Sequence, residues 1–130
     1  MAEAALGFLL RKMREERGLS LRELARLADI DHAYIYRLET GDKESPSDDL
    51  LAKLIRALKA GKREAEMLRF LAAHGQTRAE LVAHVMADPS ITFQEFLGVA
   101  VQNFRGTTRP DYGKQFARIR RWIAEENGDG

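Results

Sequence analysis

The amino-acid sequence predicts an all-α protein in which eight helices form two parts. Apolar residues recur at intervals of three and four positions, and no segment alternates apolar and polar residues with a period of two. We expect proline and glycine to lie in the connections between the periodic segments rather than inside them. The chain has 130 residues, of which 45% are hydrophobic, so it is long enough for one ordinary domain or two small ones.

The first two helices are predicted over residues 4–17 and 21–28. Gly18 can end the first helix in a left-handed conformation. Ser20 begins the sequence S-L-R-E, in which serine and Glu23 can form a capping box at the start of the second helix. The residues expected to face inward are Leu6, Leu9, Leu10 and Met13 in the first helix and Leu24, Ala25 and Ala28 in the second.

A tight turn joins the second helix to a third, which is predicted from the Asp31 cap to about Thr40. Because Ile30 is an apolar residue in this turn, we expect it to pack between the helices and to set their crossing angle. The inward residues of the third helix are Ile35 and Leu38, and the outward residues are His32, Ala33, Tyr36, Arg37 and Thr40. A helix that packs on one side only fits the major groove of DNA, with its first turns at the base edges.

Two more helices complete the first part of the chain. Ser47 is expected to cap the fourth helix, which runs to Leu58. The fifth is predicted over residues 62–73 and ends before Gly75.

Three helices follow in the second part. Capping-box sequences at Thr77 (T-R-A-E) and Thr92 (T-F-Q-E) predict the starts of the sixth and seventh helices. The pair Asp88-Pro89 ends the sixth. The eighth is predicted over residues 111–126.

These segments predict a domain boundary near Gly75, with five helices in residues 1–75 and three in residues 76–130. Three helices in about 50 residues make a thin core. We therefore expect the second module to pack on the first part or on a copy of itself.

The segment LRKMREERGLSLRELARLADIDHAYIYRLETG, followed by SPSDDLLAKLIRALKA, resembles the lambda-repressor-like, or Xre-type, helix-turn-helix transcriptional regulators. The helix spacing, the caps, the core positions and the L-E-x-G ending at Leu38–Gly41 all agree with this family over about residues 6–60. The resemblance implies a five-helix DNA-binding domain.

The resemblance also implies roles for individual residues. Base contacts are expected from His32, Ala33, Tyr36 and Arg37, and phosphate contacts from Ser20, Arg22 and Lys43. A structural ion pair is expected between Arg14 and Glu39.

The sequence departs from the family in charge and at the turn. Asp29 stands where glycine is usual, although aspartate tolerates the left-handed conformation better than most residues. Residues 1–61 contain 11 Lys+Arg and 11 Asp+Glu, so this part is neutral. We expect modest non-specific affinity for DNA from one chain, and hence a need for a homodimer.

The second module allows two interpretations, a small core of its own or a dimer interface. An operator with an inverted repeat requires two-fold symmetry, which favours the interface. The interface is then predicted to contain Phe96, Val101, Phe104, Phe116, Ile119, Trp122 and Ile123.

The runs MADPSITFQEF and FRGTTRPDYGKQFARIRRWI resemble the C-terminal module of stress-response repressors of the DdrO/ImmR type. That resemblance implies dimerisation, and it implies release of the repressed genes through cleavage by a zinc peptidase of the ImmA/IrrE type. The vulnerable segment would lie near Phe104-Arg105.

Several classes of function are not expected. Cysteine is absent, and the three histidines (His32, His74 and His84) lack companions at ligand spacing, so neither a metal site nor a cofactor is predicted. The sequence contains neither a nucleophile paired with a base nor a glycine-rich phosphate loop, so we do not expect an enzyme. Without a signal peptide or a long apolar run, we expect a cytoplasmic protein with no membrane partner.

The sequence therefore predicts a sequence-specific DNA-binding transcriptional regulator, a homodimeric repressor of operator DNA. The alternative is an antitoxin-type or other helical interaction protein, which binds a toxin or another protein through residues 77–126.

Overall fold

The computed structural model describes residues 4–42, 45–103 and 110–127. Over these ranges the chain forms eight α-helices and no β-strand, which confirms the all-α prediction. The helices are α1 (Ala5–Glu16), α2 (Leu21–Ala28), α3 (His32–Thr40), α4 (Asp48–Ala57), α5 (Lys62–Ala73), α6 (Ala79–Ala87), α7 (Phe93–Asn103) and α8 (Tyr112–Asn127).

The chain divides into two compact units, Met1–Val82 and Ala83–Gly130, so the division falls within α6. The domain boundary expected between residues 75 and 76 stays a prediction, because compactness alone does not define a domain.

The first unit is held together by the apolar stripes that the helical periodicity predicts. Helix α1 packs on α3 and α5, α2 packs on α3 and α4, and α4 packs on α5. Leu6 is an exception, because it is only partly buried at the edge of the stripe. The largest buried side chains of this unit include Leu9, Leu10, Met13, Leu24, Ile35, Leu38, Leu54, Leu58, Met67, Leu68 and Leu71.

The predicted helix caps at Ser20 and Ser47 form. The Ser20 hydroxyl accepts from the Glu23 amide at 3.0 Å, while Glu23 accepts from the Ser20 amide at 3.0 Å. The Ser47 hydroxyl accepts from the Leu50 amide at 3.2 Å. These bonds satisfy amides at helix N-termini that have no partner within the helix.

The capping box predicted at Thr77 is wrong. The Thr77 hydroxyl donates to the His74 carbonyl at 2.8 Å, which closes the turn after α5. The Arg78 carbonyl instead accepts from the Val82 amide, so α6 begins at Ala79.

The expectation that glycine lies only between helices is wrong. Gly7, Gly98 and Gly113 lie inside helices. At Gly7, a Cβ atom would lie 2.5 Å from the Leu38 carbonyl oxygen and closer still to that of Glu39. A glycine is therefore required where α1 meets the end of α3.

In the second unit, a polar network joins α7 and α8. Glu95 accepts from the Thr92 amide at 2.8 Å, as the third capping box predicts, and from Arg120 Nε at 2.8 Å. Arg120 also donates to the Ser90 hydroxyl at 3.0 Å. The buried apolar residues of this unit are Val85, Ile91, Phe96, Val99, Ala100, Phe116 and Ile119.

Candidate nucleic-acid interface

The turn between α2 and α3 takes the shape that the sequence predicts. Asp29 adopts φ 57° and ψ 50°, a left-handed conformation, and so replaces the usual glycine without breaking the turn. The Ile30 amide donates to the Ala25 carbonyl at 3.0 Å, and the Ile30 side chain is half-buried. The Asp31 carboxylate accepts from the Ala33 amide at 2.9 Å and caps α3.

Helix α3 is anchored on one side and exposed on the other. Ile35 and Leu38 are buried in the first unit. The residues expected to contact bases are all exposed: His32, Ala33, Tyr36 and Arg37. Tyr36 is 55% exposed. Because His32 and Tyr36 are four residues apart, as are Ala33 and Arg37, the exposed side chains share one face of the helix.

A bidentate pair holds the end of α3 to α1. Arg14 Nε donates to one Glu39 oxygen at 2.7 Å, and Arg14 Nη2 donates to the other at 2.9 Å. Arg14 Nη1 also donates to the Leu19 carbonyl at 2.8 Å, just before α2 begins. Hydrogen bonding with Glu39 raises the pKa of Arg14, and Glu39 is only 8% exposed. The pair thereby links α1, the α2 entry and α3.

The N-terminus of α2 carries the residues expected to contact phosphate. Ser20 and Arg22 are exposed there, whereas Lys43 lies outside the described residues. A hydrogen bond from the Ser20 backbone makes the largest contribution to lowering the pKa of Glu23, and one from the Ser20 side chain makes the next largest. The positive charge of Arg26 contributes less. Ser20 and Arg22 are both accessible to a phosphate oxygen from solvent.

Arg26 belongs to the same surface as Arg22 but was not selected from the sequence. The two arginines line one depression together with Ala25, Asp29, Ile30, Asp31 and His32. Their spacing of four residues on α2 is the signal that could have identified Arg26, because such residues lie on one helix face.

The structure separates the predicted dimer-interface residues of the second unit into two groups. Phe96, Phe116 and Ile119 are buried within the unit, so their apolar area already serves its core. Val101 is 48% exposed, Trp122 is 55% exposed, and Ile123 is half-buried. Phe104 lies outside the described residues.

Neither a metal centre nor a membrane span emerges from the part of the chain that the structure describes. No group of three or more His, Cys, Asp or Glu residues there is arranged to hold a metal ion. None of the described helices combines the length and the hydropathy that a membrane crossing requires.

Two helices joined by a left-handed turn, with the second exposing a polar face, define a helix-turn-helix domain. In agreement, residues 5–68 match the family model "Helix-turn-helix domain". Among solved structures, the chain is similar to the clp gene regulator ClgR from C. glutamicum, with 37% sequence identity. The similarity covers 56% of this chain and 90% of that chain, with a TM-score of 0.45.

A search of curated proteins found no match. The family model identifies residues 5–68 as a helix-turn-helix domain, which confirms the Xre-like helix-turn-helix assignment expected for this part of the chain.

Proposed function

We propose that the chain is a sequence-specific transcriptional regulator that acts as a homodimeric repressor of operator DNA. The exposed face of α3 carries the proposal, because it presents donors and an aromatic ring while Ile35 and Leu38 fix the helix from behind. A repressor of this kind works by occupancy, since bound protein excludes RNA polymerase from the promoter.

Each residue of the interface has a chemical role in this proposal. Arg37 donates bidentately to N7 and O6 of a guanine, which is the commonest specific contact in the major groove. His32, Ala33 and Tyr36 contact neighbouring base edges. Phosphate contacts come from Ser20 and Arg22 at the N-terminus of α2, where free amides and the helix dipole favour an anion, and from Lys43.

A two-fold symmetric dimer supplies the second recognition helix. Two such helices read half-sites about 34–36 Å apart on one face of the duplex. The exposed Val101 and Trp122 are the interface residues that we favour, because exposed aromatic side chains are frequent anchors in protein interfaces.

Release of the operator by proteolysis is the regulatory part of the proposal. It is supported by the resemblance of the second module to DdrO/ImmR-type repressors, in which a zinc peptidase ends repression. Incubation with an ImmA/IrrE-type peptidase is expected to give fragments divided near Phe104-Arg105, as measured by mass spectrometry. An intact chain after incubation would remove this part and leave the DNA-binding proposal standing.

Selection of random duplexes by the purified protein tests the DNA-binding proposal. We expect an inverted repeat, and we expect Arg37→Ala to abolish preference for it without changing the oligomeric state. Arg69→Ala is the matched control, because Arg69 is exposed on α5, which packs on α1 and α4. If the wild-type protein selects no sequence but captures a protein partner through residues 77–126, the antitoxin-type alternative is correct instead.

A further inference from the structure

The proposed DNA-binding surface contains carboxylates as well as cations. Asp29 and Asp31 line the same depression as Arg22, Arg26 and His32. The Asp31 side chain is 73% exposed, and its nearest basic neighbour, His32 Nδ1, lies 3.8 Å from Asp31 Oδ1. Anionic side chains beside a phosphate backbone weaken binding, so their place on this surface calls for a physical reason.

The contacts of Asp31 show what its carboxylate does to the start of α3. Its Oδ1 accepts from the Ala33 amide at 2.9 Å, at the N-terminus of the helix. A helix N-terminus otherwise attracts phosphate through its free amides and its dipole. At α3, a protein carboxylate already occupies that position.

The two helices of the motif therefore differ in what they can accept. Helix α2 begins at a neutral serine, and the Glu23 carboxylate that accepts from the Ser20 amide is balanced by the positive charge of Arg22, with Arg26 adding a further one. Helix α3 begins at a full negative charge, with a second one two residues earlier at Asp29. The local charges therefore disfavour phosphate more strongly at the start of α3 than at the start of α2.

We infer that Asp31, assisted by Asp29, is a specificity-determining residue that keeps phosphates away from the start of α3. This inference rests on the proposed DNA-binding function. In the operator complex, the start of α3 faces base edges, where a carboxylate oxygen can accept from the amino group of cytosine. In a complex with random DNA, which is held by phosphate contacts, the same carboxylate is repelled.

The expected effect is an increase in non-specific affinity when the charge is removed. A unit charge about 7 Å from a phosphate in water contributes about 0.6 kcal/mol, which is about a threefold change in affinity. Several phosphates surround each recognition helix, so we expect Asp31→Asn to raise affinity for random duplex about three- to tenfold. Affinity for the operator is expected to change less, so the ratio of specific to non-specific affinity falls.

The experiment compares Asp31→Asn with a control variant that removes one negative charge from another helix-capping aspartate, away from the DNA-binding surface. Asparagine caps helices as well as aspartate does, so the fold should persist. Asp111→Asn is the matched control, because Asp111 accepts from the Lys114 amide at 3.1 Å and precedes α8 in the second unit. Asp29→Gly is the second variant, because glycine adopts the left-handed conformation that Asp29 holds.

Fluorescence anisotropy on the selected inverted repeat and on a random duplex of equal length, at three salt concentrations, separates the outcomes. Support requires that Asp31→Asn and Asp29→Gly each lower the affinity ratio while Asp111→Asn leaves it unchanged. Equal effects at Asp31 and Asp111, or no change in the ratio, would overturn the inference while leaving the DNA-binding function intact. A wild-type protein without any sequence preference would overturn both.

Discussion

At the scale of single residues, the domain depends on a few polar contacts between elements. The guanidinium of Arg14 reaches both oxygens of Glu39 and the Leu19 carbonyl, so one side chain connects three segments around the recognition helix. Arg17, at the end of α1, makes a similar link to α5 and the end of α4, because it donates to the Leu58 carbonyl and to Glu64. The Arg14–Glu39 pair holds α3 against α1, whereas base recognition depends on neighbouring exposed residues.

Glu39→Gln is expected to destabilise the domain by about 3 kcal/mol, because a partly buried guanidinium loses its carboxylate. Urea denaturation measures this loss. Glu15→Gln is the control, since Arg11 and Glu15 lie 2.8 Å apart but are 61% and 54% exposed. An exposed pair of this kind contributes less than about 1 kcal/mol. Equal losses in the two variants would show that the Arg14–Glu39 pair has no special role.

The capping box at α2 predicts a dependence of stability on pH. Hydrogen bonds from Ser20 lower the pKa of Glu23 below its usual 4.5. The stabilisation is therefore fully present above pH 4.5 and is lost as the pH falls through the lowered pKa of the folded state. We expect Glu23→Gln to reduce the fall in Tm with acidification. An unchanged Tm profile in this variant would contradict the assignment.

At the scale of helices, close approach at two glycines adds to the apolar stripes in positioning neighbouring helices. Gly7 lets α1 approach the Leu38 and Glu39 carbonyls, and Gly98 leaves a Cβ position 2.8 Å from Ile119 Cδ1. Both glycines lie inside helices, where this residue costs about 1 kcal/mol relative to alanine. At Gly7 that cost is offset by packing against backbone that a larger residue would prevent, whereas at Gly98 the close atom is the end of a side chain that can move.

Gly7→Ala is expected to lower stability by about 2–3 kcal/mol, because the added methyl group meets backbone oxygen atoms that cannot rotate away. Gly113→Ala is the matched control inside α8, where the nearest atom to the new Cβ is Asp111 Oδ1 at 3.5 Å. That variant should be neutral or stabilised by up to about 1 kcal/mol, because alanine favours helix. Thermal unfolding of both variants measures the contrast, and a harmless Gly7→Ala would refute the close-packing argument.

Much of the helical architecture follows from local sequence, and the exceptions have physical causes. The bounds of α2 and α5 agree with prediction, because a capping box marks the start of α2 and Gly75 follows the end of α5. Gly7 breaks the expectation that glycine lies between helices, because only the approach of a segment distant in sequence explains it. Arg26 was missed although its spacing from Arg22 indicates a shared face, because the depression that joins the two to α3 forms only when α2 and α3 pack. Phe96, Phe116 and Ile119 were assigned to an interface, because a stripe in the sequence does not reveal what covers it.

At the scale of the whole molecule, the two units have separate tasks in the proposed function. The first unit presents α3 to DNA, and the second supplies two-fold symmetry. A nearly neutral charge, with a net value of +1, gives little non-specific attraction, so the second half-site contributes much of the binding energy. The protein is therefore expected to bind DNA tightly only as a dimer.

Trp122→Ala and Phe96→Ala should separate association from folding. Trp122 is exposed, so its replacement is expected to weaken the dimer by at least tenfold with little change in helicity, as for an interface anchor. Phe96 is fully buried, so its replacement should cost about 3–5 kcal/mol of stability in the second unit. Analytical ultracentrifugation and circular dichroism measure the two effects. Unchanged self-association in Trp122→Ala would remove this residue from the interface.

The most direct measurement of the central claim replaces each guanine of the selected operator in turn with 7-deazaguanine, which lacks the N7 acceptor. For the wild-type protein, we expect replacement of one particular guanine in each half-site to weaken the binding free energy by about 1–3 kcal/mol. The Arg37→Ala variant should show no loss at that guanine. If both proteins respond equally at every guanine, Arg37 does not read the base, and α3 is not the recognition element that the account requires.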